Sequence, residues 1–411
     1  MEERKEYRIG ELYNVQNGLS KGGEFFGTGY PFVSFKTVFN NYFLPVSILD
    51  LAETSVVDRI KYSVKRGDIL ITRTSETAEE LGMSCVALSD MPNATYNGFC
   101  KRLRPCHNDI VLPEYIGYLF RSKAIRSIFN SLSSMTTRAS LRNDDLLGIK
   151  LSLPTINEQK KVASILRTID TKIELNRRIN DNLEQQAQAL FKSWFVDFEP
   201  FKDGKFVDSE MGMIPEGWKV VQLGEIIEIS KRIINPQKNP DKIFYHYSLP
   251  ACDNGLIPEI QSGKDIMSNK IILQNNTILF SKLNPRIKRI WFACDVLNDS
   301  ICSTEFIPYR AKNERESVYI YSIINSDSFY ASVLGCVNGA TGSHQRFHAE
   351  DTLGLLFPYK KDIVDKYIDL VKPVLAEIHK LRIENKTLAL TRDSLLPRLM
   401  SGELKFNDLN N

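Results

Sequence analysis

Two stretches of the chain carry apolar residues at alternating steps of four and three, which is the spacing of a heptad seam. The first seam consists of Val162, Leu166, Ile169, Ile173, Asn176, Asn180, Leu183, Ala187, Leu190 and Trp194. The second consists of Tyr367, Val371, Val374, Ile378, Leu381, Asn385, Leu388, Arg392, Leu395 and Leu399. Every position of the second seam lies 205 residues after its counterpart in the first. The pattern therefore predicts two long helices that repeat in register.

A helix of about 36–40 residues would be ~54–60 Å long at the usual rise per residue. The seam is only two apolar positions wide per heptad, which suits pairing with a single helix, and the simplest partner is the other copy. We expect an antiparallel coiled-coil pair, in which the polar positions Asn180 and Asn385 lie in the seam and fix its register. Two solvated polar breaks are the alternative. The remaining candidate seam residues are Leu166, Ile173, Leu183, Val371, Ile378 and Leu388.

The ends of these helices carry their own signals. Thr155-x-x-Glu158 is a capping box that predicts the start of the first helix. Proline disrupts a helix interior, so we expect the second helix to kink at Pro373 or to begin near it, and to end around Pro397.

The regions between the helices also repeat. Ile9-Gly10-Glu11-Leu12 matches Leu223-Gly224-Glu225-Ile226. The runs 67–71 and 276–280 correspond next, and 144–148 and 350–354 follow in the same order. This conserved order predicts an internal repeat with pseudo-two-fold symmetry.

The regions outside the long helices contain short apolar runs bounded by turn residues, which predicts a mixed, β-rich secondary structure there. Strands are expected at 30–35, 68–72 and 271–273, and either a strand or a helix at 317–322. Residues 198–217 lack periodicity and are interpreted as a surface crossover. The predicted fold class is α+β, with two similar mixed α/β domains joined by two long antiparallel coiled-coil helices. The predicted divisions are 1–154 (first domain), 155–198 (first helix), 199–360 (crossover and second domain) and 361–411 (second helix and tail).

Composition narrows the class of protein. The 411 residues are 43% hydrophobic and 25% charged, as in a folded soluble protein. The chain has neither a secretory signal nor an apolar run of the ~18–20 residues needed to span a bilayer, so we expect a cytoplasmic protein with no membrane partner. Seven cysteines without a CxxC pair argue against a disulfide framework or a metal site. A net charge of +3 leaves DNA binding open, since that requires only local basic patches.

Catalytic motifs are weak or missing. Phe25-x-Gly27-x-Gly29 matches an adenine-methyltransferase motif but lacks its helix and its Asn/Asp-Pro-Pro-Tyr/Phe partner, so we interpret it as a turn. Asp393 with Glu403-x-Lys405 is interpreted as a solvated face rather than a nuclease site. His344 and His348 lack a third ligand, and no GxxxxGK[ST] motif occurs. We therefore expect no catalytic residues and no cofactor on this chain.

Several turn-forming segments combine basic, amide and hydroxyl side chains, which read base edges and hold phosphates. They occur at matching places in both halves and are expected to lie on one concave, positive face; ordinary solvated loops are the alternative. Modules that have diverged in sequence would read different half-sites, with the helices fixing the spacing. The candidate DNA-binding residues are Lys36, Arg73, Thr74, Ser75, Arg138, Ser140, Lys282, Asn284, Arg286, Lys288, Arg289, His344, Gln345 and Arg346.

The whole chain resembles the specificity subunits of type I restriction-modification systems. The stretches that carry this resemblance are 153–166, 169–173, 214–225, 277–286 and 303–306. The second copy departs from the family pattern, because residues 358–367 lack the Pro-x-x-x-Glu-Gln entry that Pro154–Gln159 provides in the first.

The resemblance implies a non-catalytic subunit with two target recognition domains on paired helices. Such a subunit binds a bipartite, asymmetric double-stranded DNA target and docks two adenine methyltransferase subunits, and restriction subunits join the full complex. S-adenosylmethionine and ATP are then expected on the partner subunits. Alternatives are a dimeric coiled-coil scaffold without a DNA role, a self-contained methyltransferase or nuclease, and the specificity subunit of a related type II-like assembly.

Overall fold

The computed structural model describes residues 4–75, 80–107, 109–132, 134–135, 139–336 and 345–404, with the backbone alone at 75, 134–135 and 139–140. The chain forms two compact units. The first comprises residues 1–172 and 388–411, and the second comprises residues 173–387. The boundary between the units falls inside two long helices, Ile156–Phe195 and Lys361–Ser401. Each unit therefore holds one globular domain together with part of both long helices.

The strands of the first unit are Lys5–Arg8, Tyr13–Asn17, Phe26–Val33, Leu51–Ala52, Ile69–Thr72, Thr74–Ser75, Ser84–Val86, Thr95–Tyr96, Cys100–Pro105, Ser134–Met135, Ala139–Ser140 and Lys150–Leu153. Its shorter helices are Ile9–Leu12, Phe35–Asn40, Val56–Lys61, Pro113–Arg121, Lys123–Ser131 and Asn143–Gly148, and Gly23–Phe25 forms a 3₁₀ turn.

The strands of the second unit are Phe206–Val207, Ile214–Pro215, Lys219–Gln222, Ile227–Ile229, Ile233–Ile234, Ile243–Tyr247, Glu259–Ser262, Lys270–Ile272, Thr277–Ser281, Ile290–Ala293, Ser300–Ser303, Phe306–Ala311 and Leu356–Tyr359. Its shorter helices are Leu223–Ile226, Leu249–Asp253, Ser317–Asn325 and Asp327–Gly335. Its 3₁₀ turns are Glu199–Phe201, Pro236–Lys238, Gly263–Asp265, Glu314–Glu316 and Ala349–Thr352.

Each unit has a four-stranded antiparallel sheet in which an inner strand is fully buried. In the first unit this strand is Ile69–Thr72, which lies between Cys100–Pro105 and Ser84–Val86. In the second unit it is Thr277–Ser281, which lies between Phe306–Ala311 and Ile290–Ala293. Because these strands are covered on both faces, each contains an unbroken run of three apolar residues, 69–71 in the first and 278–280 in the second.

A pair of nine-residue helices packs against each sheet, and one serine joins the two helices of a pair. Ser122 lies between Pro113–Arg121 and Lys123–Ser131, where its side chain accepts a hydrogen bond from Ile125 N. Ser326 does the same between Ser317–Asn325 and Asp327–Gly335. A serine in extended conformation ends one helix and caps the next, because its hydroxyl satisfies a free amide of the first turn.

The two units differ outside these elements. In the first unit a three-stranded sheet is formed by Leu51–Ala52, Phe26–Val33 and Thr95–Tyr96. In the second unit the corresponding place in the chain order is taken by a five-stranded sheet that includes Ile243–Tyr247. The units thus share a sheet-and-helix framework and diverge in the added sheet.

The entry of the first long helix is fixed by Gln159, which has no exposed surface. Its side-chain oxygen accepts a hydrogen bond from Leu112 N at 2.9 Å, and its side-chain nitrogen donates to Ile110 O at 2.9 Å and to Pro154 O at 3.0 Å. Val364 occupies the equivalent position of the second helix and is also fully buried. Apolar packing thus replaces the hydrogen-bonded entry in the second copy, and the helix still begins at Lys361.

Both prolines of the second helix lie inside it. The helix passes through Pro373, so the alternative that it begins near Pro373 is wrong, and it ends at Ser401, four residues after Pro397. Apolar neighbours hold the helical conformation on either side of Pro373, since Val371 is 1% exposed and Leu375 is 8% exposed.

The predicted seam residues are buried or half-buried within their units. In the second unit Asn176 Nδ2 donates to Asn385 Oδ1 at 3.0 Å and to Glu384 Oε2 at 2.9 Å. Asn385 thus accepts a hydrogen bond from Asn176, and Asn180 is itself only 7% exposed. The other predicted seam residues are buried at Leu166, Ile173, Val371 and Ile378 and half-buried at Leu183 and Leu388.

The segment after the first long helix is not the simple surface crossover that was predicted. Phe198 and Ile214 are buried in the core of the second unit, where the Phe198 ring lies 5.4 Å from that of Trp218. Phe191 and Phe195, at the end of the helix, contact Tyr319 and Tyr367 in the same core. Aromatic side chains therefore anchor the segment in this core. The sequence pattern did not predict this burial because hydrophobic periodicity detects only regular helices and strands.

The structure decides one open alternative and corrects one further expectation. The run 317–322, open between strand and helix, belongs to the helix Ser317–Asn325, which is buried on all sides. Of the Phe25-x-Gly27-x-Gly29 motif, only Phe25 lies in a turn, at the end of the 3₁₀ segment Gly23–Phe25. Gly27 and Gly29 lie in the strand Phe26–Val33 with φ of +103° and +99°, at an irregularity in its pairing with Leu51–Ala52.

Candidate nucleic-acid interface

In the first unit, two of the predicted polar segments meet. Thr74 and Ser75 follow the buried strand Ile69–Thr72 and pair with Ala139–Ser140 as antiparallel strands. Leu141 N also donates to Arg73 O at 3.0 Å. Segments about 65 residues apart in the sequence thus form one polar surface at the end of the buried strand.

Arg73 is held in place on this surface. Its backbone N–H donates to Phe99 O at 2.9 Å, and Nε donates to Gly98 O at 2.8 Å. Thr74 Oγ1 is buried and has no hydrogen-bond partner among the described residues. A buried hydroxyl without a partner costs about 1–3 kcal/mol, which a bound ligand atom would recover.

Lys101 is a cation near this surface that the sequence analysis missed. It is only 4% exposed, and its ammonium donates to the Asn143 side chain. Burial lowers the pKa of Lys101, and the nearby charge of Arg73 lowers it further. The signal that could have revealed it is the strand Cys100–Pro105, which carries a basic residue at three of its six positions.

The other candidates of the first unit divide into two groups. Lys36 is exposed on the helix Phe35–Asn40 and takes no part in the hydrogen bonds described above. The backbones of Ser75 and Ser140 lie in the paired strands. Arg138 falls outside the described residues, as does His344 of the second unit.

In the second unit, the segment 282–289 connects the buried strand Thr277–Ser281 to Ile290–Ala293. Leu283 forms an antiparallel bridge with Arg346, and Asn284 N donates to Gln345 O at 3.0 Å. The two predicted segments of this unit therefore also meet at the end of the buried strand, as they do in the first unit.

Three of the predicted cations here are engaged by neighbouring groups. Arg289 donates twice to Asp253, at 2.6 and 2.8 Å, and these bonds raise the pKa of its guanidinium. Arg346 donates to both carboxylate oxygens of Glu305, at 3.0 and 3.2 Å.

Lys288 is engaged in a different way. Its Nζ donates to Asn325 O at 2.6 Å, at the end of a helix, and lies 5.6 Å from the Tyr330 ring centre. Burial lowers the pKa of Lys288. All three cations thus support the loop itself.

The remaining side chains of the segment point to a ligand. The Arg286 side chain is exposed and has no hydrogen bond or ion pair to the described residues. The half-buried Lys282 side chain has none to them either, although Lys282 N donates to Glu305 O at 2.9 Å. Asn284 lies in the left-handed region at φ +49°, and its buried side-chain oxygen has no hydrogen-bond partner within the described parts of the chain. Unpaired donors and acceptors of this kind hydrogen-bond readily to bases and phosphates.

Comparison with known proteins shows which family this chain resembles in sequence and in fold. Residues 1–185 match the family model described as the type I restriction modification DNA specificity domain. No helix in the described parts of the chain is both long and apolar enough to cross a membrane.

Two relatives from Methanocaldococcus jannaschii cover much of the chain. The type I restriction enzyme MjaIX specificity subunit is 26% identical over 98% of this chain and 93% of its own length. The MjaVIII specificity subunit is 34% identical over 71% of each. A crystal structure of the S subunit of a type I system from M. genitalium has the same fold, with a TM-score of 0.55 and 15% identity over 97% of this chain and 96% of that chain.

The chain belongs to the family of type I restriction-modification specificity subunits, which confirms the resemblance noted in the sequence. The mixed α/β architecture with a long helix is likewise confirmed.

Proposed function

We propose that this chain reads a bipartite, asymmetric DNA target and docks two adenine methyltransferase subunits, through which restriction subunits join the complex. The observation that carries the proposal is the loop arrangement. In each unit, two polar segments meet at the end of the buried strand, and one buried side-chain atom there has no hydrogen-bond partner among the described residues, Thr74 Oγ1 in the first unit and Asn284 Oδ1 in the second.

Internal similarity supports two readers rather than one. The strands flanking Ile69–Thr72 and Thr277–Ser281 have the same order and direction in both units. Gly10 and Gly224 have the same close neighbours, since a Cβ at either would lie 3.3 Å from the Leu147 or Leu353 carbonyl. Different loops on a shared framework favour two unlike half-sites.

The long helices are proposed to form the antiparallel pair expected from their seams. In the second unit, Asn176 bonds to Asn385 and Glu184 to Arg382, so later residues of one helix meet earlier residues of the other. A buried asparagine pair costs stability and specifies register. Faces of the helices outside the seam would then be available to the methyltransferase subunits, on which S-adenosylmethionine is expected, with ATP on the restriction subunits.

The test is to co-express the chain with the methyltransferase subunit of its own system and map methylated adenines across a genome. We expect one split motif. Arg286→Ala should relax one base position in one half of the motif by about 1–3 kcal/mol if Arg286 reads a base, and leave the other half unchanged. If Arg286 contacts only phosphate, affinity for all sequences should fall and the salt slope should drop by about one.

Arg178→Ala is the matched control, because Arg178 is an exposed arginine of the first long helix whose partner is Glu174. It should leave the motif intact. Gel shifts with random duplexes, with and without the methyltransferase subunit, complete the test. A chain that binds no DNA in either state would refute the proposal and favour a scaffold without a DNA role.

A further inference from the structure

Three metal-ligating side chains meet in the second unit, away from the polar loops. Cys294 and Asp295 follow the strand Ile290–Ala293, and His379 lies on the second long helix. The Cys294 thiol, the Asp295 carboxylate and a ring nitrogen of His379 all lie within 4.8 Å of one another. It is the one such group found among the residues that the structure describes.

One pair of these ligand atoms already lies at a spacing that suits a small, directly coordinated ion. His379 Nε2 lies 3.8 Å from Asp295 Oδ2. Around a tetrahedral ion with bonds of about 2.0–2.3 Å, ligand atoms lie roughly 3.3–3.8 Å apart. The Asp295 side chain is 83% exposed and that of His379 is 25% exposed, so the carboxylate can rotate toward a more fixed imidazole.

The surrounding backbone holds the two turn ligands together. Asp295 adopts φ +55°, an uncommon conformation for a residue other than glycine, and Cys294 N donates to Phe292 O at 3.2 Å. Val296 N, which follows, donates to the Asn275 side chain at 3.2 Å. The strained turn thus places a thiol and a carboxylate side by side, facing one helix.

One positive charge close to Cys294 and His379 is already paired with a carboxylate. Arg382 lies one helical turn after His379 and forms an ion pair with Glu184, with its own side chain 18% exposed. The negative Asp295 and a thiolate formed at Cys294 would therefore provide the charge that a divalent cation requires.

We infer that Cys294, Asp295 and His379 form a binding site for a zinc-class divalent metal ion, which ties the turn after Ile290–Ala293 to the second long helix. Sulfur, nitrogen and carboxylate oxygen together favour zinc over magnesium or calcium. The thiol loses its proton to solvent as the sulfur–metal bond forms. Three protein ligands leave the fourth tetrahedral position for water.

The experiment uses the full chain, freed of any histidine tag and treated with a chelator, then titrated with Co²⁺. We expect one Co²⁺ per chain, with the visible bands of a tetrahedral site and a thiolate-to-cobalt charge-transfer band, and displacement by Zn²⁺. Cys294→Ser should abolish the charge-transfer band, and His379→Gln should weaken binding at least tenfold.

Cys106→Ser is the matched control, since Cys106 is an exposed cysteine adjacent to His107, where a thiol could also attract metal. It should retain the band. Asp295→Asn keeps the exposed turn and should weaken binding without loss of folding, as judged by circular dichroism. A band that persists in Cys294→Ser, or that disappears in Cys106→Ser, would overturn the assignment, as would unchanged affinity in both Asp295→Asn and His379→Gln.

Discussion

The interaction of Asp170 with Arg392 joins the two long helices within the first unit and is open to a direct energetic test. Arg392 Nη1 donates to Asp170 Oδ1 at 2.9 Å, and the Tyr118 hydroxyl donates to the other carboxylate oxygen. The side chains of Asp170 and Arg392 are only 18% and 16% exposed. The change to make is Asp170→Ala, which removes the acceptor of both bonds.

The expected loss follows from what is left behind. Removing one partner of a buried ion pair costs about 3–5 kcal/mol, and an orphaned buried hydroxyl costs about 1–3 kcal/mol. Arg392 keeps a contact with Asp393 at 2.8 Å, and neither charge is wholly buried. We therefore expect the free energy of unfolding to fall by about 2–4 kcal/mol, nearer the lower end.

The assay is urea unfolding followed by far-ultraviolet circular dichroism. Tryptophan fluorescence provides a second signal from the second unit alone, because Trp194, Trp218 and Trp291 all lie between residues 173 and 387. A double-mutant cycle with Arg392→Met isolates the pair, and its coupling energy should be about 1.5–3 kcal/mol.

Glu174→Ala provides the matched control on the same helix. Its pair with Arg178 is 52% and 71% exposed, so the loss should be below about 0.5 kcal/mol. A coupling energy below about 0.5 kcal/mol for Asp170 and Arg392 would show that the bond contributes nothing and would refute the reasoning.

Three further predictions concern single residues. Lys288→Met should lower the free energy of unfolding, followed by tryptophan fluorescence, by about 1–2 kcal/mol, because it frees a helix-end carbonyl, and should leave the salt dependence of DNA binding unchanged; a weaker salt dependence would instead make Lys288 a phosphate contact. Gly29→Ala should cost about 1–3 kcal/mol in thermal unfolding, since φ is +99° and a Cβ would lie 2.6 Å from a carbonyl oxygen, whereas Gly148→Ala, with open space around it, should cost much less. Tyr115→Phe should be almost neutral at pH 7, because its buried hydroxyl has no partner in the described structure. Burial raises the pKa of Tyr115 to about 12, so only the unfolded chain ionises it between pH 10 and 12, and stability is lost as pH rises through that window. The substitution should reduce that loss by about 1.4 kcal/mol per pH unit, and an unchanged slope would contradict the assigned pKa.

The long helices could be predicted from the sequence because their apolar spacing is regular over many turns. Their boundaries were harder to predict, since proline propensity alone allows the second helix to start near Pro373 instead of at Lys361. Pro373 stays helical because Val371 and Leu375 are buried in the core of the second unit. Tertiary packing of this kind has no signature in a local window.

The polar loops could likewise be predicted only in part. The sequence identified which segments carry basic and amide side chains, and in the second unit the structure brings those segments together. It could not distinguish Arg286, which is exposed, from Arg289, which is paired with Asp253. That pairing joins residues 36 positions apart. Lys101 was missed for a similar reason, because only the sheet brings it close to Arg73.

The composition of the first unit has a consequence for how the protein is made. Leu396, Leu399 and Met400 belong to the same buried core as Ile69 and Phe120, although they come from the last turns of the second long helix. After residue 172 has been synthesised, the ribosome must add roughly 220 more residues before these side chains emerge. This takes on the order of 10–45 s at ordinary elongation rates. Throughout that interval the apolar surface that these three side chains cover is exposed on the nascent first domain. We therefore expect folding to depend on chaperones during translation. We also expect deletion of residues 388–411 to destabilise the first unit.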